Sequence, residues 1–355
     1  MCHTQDARAA NSIGLHDDKL RLSPLDHFIP HKQTPMGSDW RRIFSTEKVI
    51  SGVPRGPVLG PLLFLLHLND LPSVLSPETI YRLFADDCLM YMVIKCIADQ
   101  LQLQEDLRKL EKWASDWGMK FNAKKCFIMS MHRSKKTPLT HMYELCGNFL
   151  STVKEEKYLG VILSDDMSWA PHIECVTSAA SQKLGFLSRN LKGCPSELKK
   201  TAYLAIVRSS LEYAAPIWDP HQANHKTSLE SIQRKAARWI TNNHRRRASV
   251  TEMLESLQLD TLEERRRQAS LALLYKILHG EVAVPPEELG IYLNQRASRG
   301  LTTKTKLLVP RCTTTAKATH FVSRTIPQWN RLPESTTAAE TVSRFKSQLS
   351  GPSCP

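Results

Sequence analysis

Apolar and polar positions around residues 81–92 form two short arms that flank one acidic pair. Both arms consist of residues that favour strands, and Asp86 and Asp87 stand between them. Aspartate fits turn geometry and is disfavoured inside a strand, so the pair marks a change of direction. The pattern predicts a tight β-hairpin with the two carboxylates at its tip.

A helical period follows this hairpin. Apolar residues recur at three- and four-residue steps from Leu103 to Trp117, and Gly118 follows as a stop signal. We therefore predict a helix over Asp99–Trp117 that packs its apolar stripe on a sheet. A short strand is predicted over Tyr158–Leu163, so strands and helices alternate up to about residue 165.

The second half of the chain has the apolar spacing of helices. One helix start is marked by Cys194, which precedes a proline and an acidic first turn. The predicted helices cover His172–Arg189, Pro195–Tyr213, Ser228–Asn242 and Leu262–His279. An α/β region followed by an all-α region is therefore expected.

Composition and charge narrow the function classes. The 355 residues carry a formal net charge of +13, which favours polyanionic partners and above all nucleic acid. The nine cysteines are scattered without zinc-ligand spacing, so reduced intracellular thiols are expected. The most apolar run, Val58–Leu68, is too short to cross a bilayer, and no secretory signal is visible. These features predict an intracellular protein, nuclear or cytoplasmic, that is neither secreted nor bound to a membrane.

The acidic pair is the strongest candidate for chemistry. Two neighbouring carboxylates repel each other, and they must be solvated, capped or bound to a cation. Paired carboxylates of this kind can hold the divalent ions that drive phosphoryl or nucleotidyl transfer. The alternative is an ordinary solvated turn, and the same alternative applies to a second pair, Asp165 and Asp166.

A second block lies about thirty residues upstream of the hairpin. It reads Ser-Gly-Val-Pro-Arg-Gly-Pro over Ser51–Pro57, continues into an apolar run and ends in Asn-Asp-Leu-Pro at Asn69–Pro72. Together with Phe-Ala-Asp-Asp at Phe84–Asp87, it resembles the reverse transcriptases of non-LTR (LINE-type, jockey-like) retrotransposons. The resemblance covers residues 38 to 350 and implies an N-terminally truncated member.

The resemblance implies an α/β (α+β) palm with a small, mainly antiparallel sheet, followed by an all-α thumb-like and C-terminal helical region. The expected divisions are a poorly ordered leader at 1–36, a partial palm at 37–165, a thumb-like domain at 166–282 and a partly helical tail at 283–355. The implied activity is RNA-directed DNA polymerisation with Mg²⁺ (or Mn²⁺). The implied partners are an RNA template, a DNA primer or hybrid, and deoxynucleoside triphosphates.

The resemblance also assigns residues. Asp86 and Asp87 would hold the metal and act in catalysis, and Lys125 would protonate the leaving pyrophosphate; two solvated lysines in a turn are the alternative for Lys124 and Lys125. The expected substrate-binding residues are Gly52, Pro54, Arg55, Gly56, Phe84 and Ala85. The expected primer grip is Tyr158, Leu159 and Gly160. Members of the family carry Gln where this chain has Arg55 and Ser where it has Pro57.

Basic residues stand largely off the apolar face of the helix predicted at 228–242 and continue just beyond its end. The members of this run are Arg234, Lys235, Arg238, Arg245, Arg246 and Arg247. The alternatives are a solvated face and a nuclear-localisation signal. Because a polymerase thumb must contact the phosphates of a duplex, we predict that this run binds nucleic acid.

One expected feature is not found in the sequence. The family carries an essential aspartate in an earlier strand, and Asp17, Asp18, Asp26 and Asp39 do not stand in the matching apolar pattern. Nucleotidyl transfer by two metal ions needs carboxylates from separate strands. We therefore expect an impaired polymerase, or alternatively a non-catalytic nucleic-acid-binding remnant. A relic without a selected role is the third alternative.

Overall fold

The structure is a computed structural model that describes residues 7–14 as backbone and residues 59–131, 141–245, 247–294 and 306–349 in full. The chain divides into two compact units, Met1–Ser168 and Trp169–Pro355. The first unit mixes small sheets with helices, and the second is almost entirely helical. The expectation of an α/β region followed by an all-α region agrees with this division.

The strands of the first unit are short, and most of them pair antiparallel. The described strands are β1 (Ala7–Gly14), β2 (Ile80–Phe84), β3 (Asp87–Ile94), β4 (Phe127–Met131), β5 (Glu144–Leu145), β6 (Asn148–Phe149), β7 (Ser151–Thr152), β8 (Glu155–Tyr158) and β9 (Val161–Ser164). One sheet has the order β2-β3-β1-β4-β7, in which only the β4–β7 pair is parallel. The remaining strands form two antiparallel hairpins, β5–β6 and β8–β9.

Strand β1 belongs to the segment 1–36, for which the sequence predicts a poorly ordered leader. Of that segment the structure describes only Ala7–Gly14, which lies between β3 and β4 and pairs with both. The sequence of β1, Ala-Arg-Ala-Ala-Asn-Ser-Ile-Gly, is poor in β-branched and aromatic residues. Its strand conformation therefore comes from the ladder bonds that two neighbouring strands offer, a signal that local propensity does not contain.

The helices of the first unit are α1 (Leu59–His67) and α2 (Ile97–Asp116). Alternate residues of β3 from Cys88 to Ile94 are buried, and they share a core with Leu103, Leu107 and Leu110 of α2. This confirms the predicted helix and its packing on a sheet. Gly118 ends the helix with φ +68°, as the sequence indicated.

The predicted single strand over Tyr158–Leu163 is wrong. The chain turns back at Leu159 and Gly160, with φ +47° and +83°, so that β8 and β9 form a hairpin. Two positive φ angles are the requirement of the tight turn that suits the twist of a hairpin. Gly160 adopts its positive φ without strain. Leu159 gave no turn signal, because an apolar residue at this place fits the predicted strand.

The second unit is made of helices. They are α3 (Ala170–Asn190), α4 (Ser196–Ala202), α5 (Ser209–Glu212), α6 (Ala215–Trp218), α7 (Ala223–Ile240), α8 (Val250–Ser256), α9 (Leu262–Leu278), α10 (Thr315–Thr319), α11 (Phe321–Trp329), α12 (Glu334–Thr337) and α13 (Val342–Leu349). A π-helical stretch, Tyr203–Arg208, joins α4 to α5, so the predicted helix over 195–213 is present with one irregular segment. The other three predicted helices correspond to α3, α7 and α9.

Helix α9 is the centre of this unit. Leu271, Leu274 and Tyr275 are fully buried, and Trp329 and Phe345 from the C-terminal segment pack in the same cluster. The ring of Phe345 stacks on that of Tyr275 at 4.6 Å between centroids. Within the described part of the chain, none of the helices combines the length and apolar character needed to cross a membrane.

Candidate active site

The acidic pair lies at the tip of the β2–β3 hairpin, as predicted. Phe84 pairs with Asp87, which leaves Ala85 and Asp86 as a two-residue turn. Ala85 has φ +50°, a conformation that costs an L-residue with a Cβ roughly 1–2 kcal/mol. A strained backbone at a chemically marked position is typical of functional sites.

The environment of the two carboxylates favours a cation. Asp86 is exposed and Asp87 is half-buried. Burial raises the pKa of Asp87, and the neighbouring charge of Asp86 raises it further. Carboxylate oxygens are the ligands that Mg²⁺ and Mn²⁺ prefer, so the pair fits a divalent ion that would relieve this repulsion. Among the described residues no group of three or more His, Cys, Asp or Glu side chains could complete a metal site.

Strand β1 is the neighbour of the hairpin on its β3 side. Its register places Gly14 opposite Asp87 and Ala7 opposite Ile94. None of the residues from Ala7 to Gly14 is acidic. The four aspartates considered from the sequence, Asp17, Asp18, Asp26 and Asp39, lie outside the described residues.

Lys125 lies at the same end of the sheet as Asp87. Ser12 of β1 is opposite Leu89 of β3 and also opposite Phe127 of β4. Asp87 comes two residues before Leu89, and Lys125 comes two residues before Phe127. Strand β1 lies between β3 and β4, so these two strands are two strand spacings apart, which amounts to about 10 Å. The lysine is exposed in a 3₁₀ turn over Ala123–Lys125.

The β8–β9 hairpin also approaches the acidic pair. Burial raises the pKa of Tyr158, the charges of Asp87 and Cys88 raise it further, and Arg82 opposes them. Tyr158 lines a small cleft together with Leu89 of β3 and Phe127 of β4. The structure therefore brings the predicted primer-grip tyrosine next to the hairpin, with Leu159 and Gly160 in the turn beyond it.

A third aspartate fixes the opposite end of the hairpin, and the sequence analysis missed it. Asp106 of α2 is fully buried and accepts hydrogen bonds from the hydroxyls of Ser76 at 2.5 Å and Thr79 at 2.6 Å. The Ser76 amide and Lys109 Nζ donate to it as well, at 3.2 and 3.1 Å. Thr79 immediately precedes β2, so Asp106 holds the strand at its start. An aspartate between Leu103 and Leu110 on the apolar stripe was the available signal.

The expected substrate-binding loop is not described. Gly52, Pro54, Arg55 and Gly56 lie outside the described residues, which resume at Leu59 in helix α1. Of the substrate-binding set, the structure brings Phe84 and Ala85 to the acidic pair, and Phe84 is 63% exposed.

The basic run occupies the polar face and the end of α7. Arg234 and Lys235 are exposed, whereas Ile232, Ala236 and Trp239 form the buried face of the helix. Arg245 and Arg247 are exposed beyond the helix, and Arg246 lies outside the described residues. Arg238 differs from the rest, because its guanidinium donates to the Arg245 carbonyl at 3.3 Å and so holds the segment after the helix.

A buried lysine supports this end of α7. Lys199 is 1% exposed, and its ammonium donates to the Asn242 side-chain oxygen at 2.7 Å and stands 5.8 Å from the ring centre of Trp239. Asn242 has φ +53° directly after the helix. Lysine is rarely buried without a partner, so this contact fixes the chain where the basic segment leaves the helix. The sequence carried no signal for it beyond the residue type.

Comparison with known proteins adds a family to this geometry. Residues 18–163 match the family model described as "Reverse transcriptase (RNA-dependent DNA polymerase)". The chain is 29% identical over 213 residues to the "Probable RNA-directed DNA polymerase from transposon BS" of Drosophila melanogaster, an alignment that covers 57% of this chain and 24% of that protein. It is 27% identical over 209 residues to the "RNA-directed DNA polymerase from mobile element jockey" of Drosophila funebris, covering 56% and 22%.

A further similar protein is the "Probable RNA-directed DNA polymerase from transposon X-element" of Drosophila melanogaster. It is 29% identical over 206 residues, and the alignment covers 56% of this chain and 22% of that protein. The chain thus spans less than a quarter of the length of these three proteins. The matched family segment includes the acidic hairpin, Lys125 and the β8–β9 hairpin up to Leu163.

Proposed function

This chain belongs to the reverse transcriptases of non-LTR, jockey-like retrotransposons, and we propose on that premise that its β2–β3 hairpin is a nucleotidyl-transfer centre with reduced activity. The observation that carries the proposal is the strained turn with two adjacent carboxylates, one of which has a raised pKa. In this assignment the first unit supplies the palm, and the helical second unit supplies the thumb-like region.

Asp86 and Asp87 would hold Mg²⁺ or Mn²⁺. Bound there, the ion would polarise a phosphate oxygen of an incoming deoxynucleoside triphosphate. Phe84 and Ala85 fix the turn that presents the carboxylates. Lys125, at the same end of the sheet, would donate a proton to the leaving pyrophosphate. Tyr158 would position the primer strand beside the hairpin.

The proposed impairment rests on strand β1. In a two-metal centre the ions are held by carboxylates from separate strands, and the strand paired with Asp87 contributes no acidic residue between Ala7 and Gly14. Two carboxylates from one turn leave an ion mostly coordinated by water. Loss of one principal ligand is expected to cost several kcal/mol of transition-state stabilisation, on the order of a thousand-fold in rate.

Primer extension on a poly-A RNA template tests this proposal. We expect incorporation of thymidine nucleotides with Mn²⁺ that is weak, on the order of a thousandth of the rate of a jockey-type polymerase assayed beside it. An Asp86→Ala variant should abolish the residual incorporation, and Asp165→Ala, in the other acidic pair, should not. A rate equal to that of the reference polymerase would contradict the impairment. Residual incorporation that survives Asp86→Ala would contradict the assignment of the centre.

A non-catalytic role in nucleic-acid binding is the second candidate, because the basic side chains of α7 are exposed on one face. The proposed ligands are an RNA template and a DNA primer or RNA–DNA hybrid. Both candidates place the protein inside the cell, in the nucleus or the cytoplasm, where such strands occur.

Binding measured at several salt concentrations separates a phosphate grip from a solvated face. A double variant, Arg234→Ala with Lys235→Ala, should weaken binding to all sequences alike and lower the salt slope by about 2, or about 1 for each lost phosphate contact. Lys192→Ala, at an exposed lysine after α3, is the matched control and should leave the slope unchanged. An unchanged slope in the double variant would remove α7 from the nucleic-acid interface.

A further inference from the structure

The segment that joins α7 to α8 carries a serine directly after its basic residues. The chain reads Arg-Arg-Ala-Ser-Val over Arg246–Val250. Nowhere else in the sequence does a serine or threonine have arginine at both the second and the third position before it. Kinases choose substrates by charge pattern, and a guanidinium pairs bidentately with the carboxylates of an acidic substrate groove. The motif around Ser249 therefore matches a kinase that selects arginine-containing substrates.

The backbone of this segment suits such a groove. Residues 243–245 belong to no helix or strand, and Ser249 has an extended backbone with φ −68° and ψ 120°. Arg247 is exposed, and Ser249 is half-buried. The placement of Arg246 lies outside the described residues, so this arginine counts by its sequence position alone. Irregular surface segments of this kind are the usual places of enzymatic processing.

The hydroxyl of Ser249 is held by one long hydrogen bond. Its Oγ accepts from the amide of Glu252 at 3.3 Å, and the Met253 amide donates to the Ser249 carbonyl at 3.4 Å. Both distances exceed the usual 2.9–3.0 Å or so for N–H donors, and α8 is only seven residues long. Among the described residues, none accepts a hydrogen bond from the Ser249 O–H. Local opening at the start of α8 is therefore easy, and the hydroxyl proton is available for transfer.

A second serine after arginines shows that exposure separates the two positions. Ser270 follows Arg266 and Arg267 by four and three residues, but it is 3% exposed. Arg266 is 1% exposed, and its Nε donates to Asp219 at 2.7 Å. An enzyme cannot reach this serine or its arginines without unfolding α9. Access and motif coincide at Ser249.

We propose that Ser249 is a phosphorylation site for an arginine-directed serine/threonine kinase, and that its phosphate weakens the grip of the neighbouring basic run on nucleic acid. In the transfer, the bond from the γ-phosphorus of ATP to its bridging oxygen breaks, and Oγ of Ser249 bonds to that phosphorus. The hydroxyl proton passes to the catalytic aspartate of the kinase, and ADP leaves. The site itself is independent of the functions proposed above, whereas its effect on binding rests on the proposed nucleic-acid contact.

The effect on binding follows from charge. A phosphoserine carries about −1.5 to −2 charges near neutral pH and three strong acceptor oxygens. Arg247 and Arg245 are exposed two and four residues before Ser249. Charge-assisted hydrogen bonds from these guanidiniums to the new phosphate would replace their contacts with the phosphates of a strand.

A kinase reaction on the full chain tests the site. The probe is the catalytic subunit of cyclic-AMP-dependent protein kinase with ATP, and we expect stoichiometric phosphate on Ser249, located by mass spectrometry. Ser249→Asn should abolish the label and keep the fold, because asparagine caps a helix as well as serine does. Thr251→Ala, at an exposed position two residues later, is the matched control and should be labelled like the unaltered chain. Label on another residue, or label that persists in Ser249→Asn, would overturn the site.

The role of the arginines has its own test. Arg247→Ala should lower kcat/KM for the kinase reaction by about tenfold or more, because one of the two recognised guanidiniums is lost. Arg344→Ala, at an exposed arginine of α13, should leave the rate unchanged. Equal rates for Arg247→Ala and the unaltered chain would contradict an arginine-directed kinase.

Binding to an RNA–DNA hybrid tests the consequence. The phosphorylated chain should bind about tenfold more weakly, with a salt slope lower by about 2. Ser249→Asp should weaken binding in the same direction, and Ser249→Asn, which differs from it only in charge, should not. Equal affinity of the two forms would overturn the effect on binding. An unmodified chain that does not bind the hybrid would contradict the nucleic-acid role and this effect with it, while label on Ser249 would still establish the site.

Discussion

The aspartates at the two ends of the β2–β3 hairpin differ in their hydrogen bonding. At the tip, Asp86 and Asp87 stand side by side, and the part of the chain that the structure describes offers neither of them a hydrogen-bond donor. At the base, Asp106 is fully buried and accepts from the Ser76 and Thr79 hydroxyls and from Lys109. One hairpin therefore joins a carboxylate that is fully satisfied by the protein to two that are not.

This difference shows how the fold can hold an unfavourable tip. Ala85 has a strained backbone, and the charges of the acidic pair repel each other, so the tip on its own opposes folding. The bonds of Asp106 and the packing of β3 on α2 fix the strands from the other end. Carboxylates left unsatisfied in this way can take a metal ion without first breaking protein contacts.

The largest expected effect on stability comes from a substitution of Asp106 at the base of the hairpin. Asp106→Asn removes the charge and replaces one accepting oxygen by an NH2 group, which cannot accept from the groups that donate to Asp106. We expect the free energy of unfolding to fall by about 2–4 kcal/mol, measured by urea denaturation. Glu105→Gln, the exposed neighbour paired with Arg108 at 3.2 Å, is the control and should change stability by less than about 1 kcal/mol.

The pH dependence sharpens the same prediction. Burial alone would raise the pKa of Asp106, but the bonds from Ser76, Thr79 and Lys109 outweigh it and lower the pKa. A lowered pKa in the folded state gives stability that is present above the pKa of the unfolded chain and is lost as pH falls through the folded value. The difference between the unaltered chain and Asp106→Asn should therefore shrink in acid. A difference that stays constant down to acid pH would contradict the charged state of Asp106.

The same comparison shows what the sequence could and could not predict. The tip was predictable because turn chemistry is local, and α2 was predictable because its apolar period is long. Asp106 was missed because its structural role depends on hydrogen bonds from Ser76 and Thr79, about thirty residues away in the chain. Strand β1 was missed for a related reason, since its strand conformation comes from β3 and β4 rather than from its own residues. The roles of Lys125, Tyr158 and the loop at Gly52–Gly56 remain predictions from the family.

Metal binding at the tip of the hairpin should give the next largest change in the free energy of unfolding. At a Mn²⁺ concentration ten times the dissociation constant, the free energy of unfolding should rise by about 1.4 kcal/mol. Asp86→Ala should abolish this rise, because a single carboxylate remains. Asp165→Ala alters an acidic pair in a turn where Asp166 is already bonded to Ser164 and Ser168, and it should leave the rise intact.

Protons should compete with the metal ion. Because burial and Asp86 raise the pKa of Asp87, the apparent affinity for Mn²⁺ should fall as pH is lowered through that value. An affinity that does not depend on pH would place the ion elsewhere.

The strained turn gives a smaller effect. Ala85→Gly relieves the Cβ conflict at φ +50° but gives the unfolded chain more freedom, so we expect a net gain of about 0.5 kcal/mol in unfolding free energy. Leu159→Gly, at φ +47° in the β8–β9 turn, should gain a similar amount. A loss of stability at Ala85 alone would mean that its methyl group makes a contact that outweighs the strain.

The smallest effect concerns the charge of Asp87 itself. Asp87→Asn removes the repulsion from Asp86, so the metal-free protein should melt about 1 °C higher near neutral pH, measured by calorimetry. A raised pKa in the folded state means that the penalty vanishes below the pKa of the unfolded chain, and the two proteins should melt alike in acid. The same variant should bind Mn²⁺ more weakly, so one substitution would gain stability and lose the ligand. A lower melting temperature at neutral pH would show instead that Asp87 is satisfied by the protein, and the contrast between tip and base would then fail.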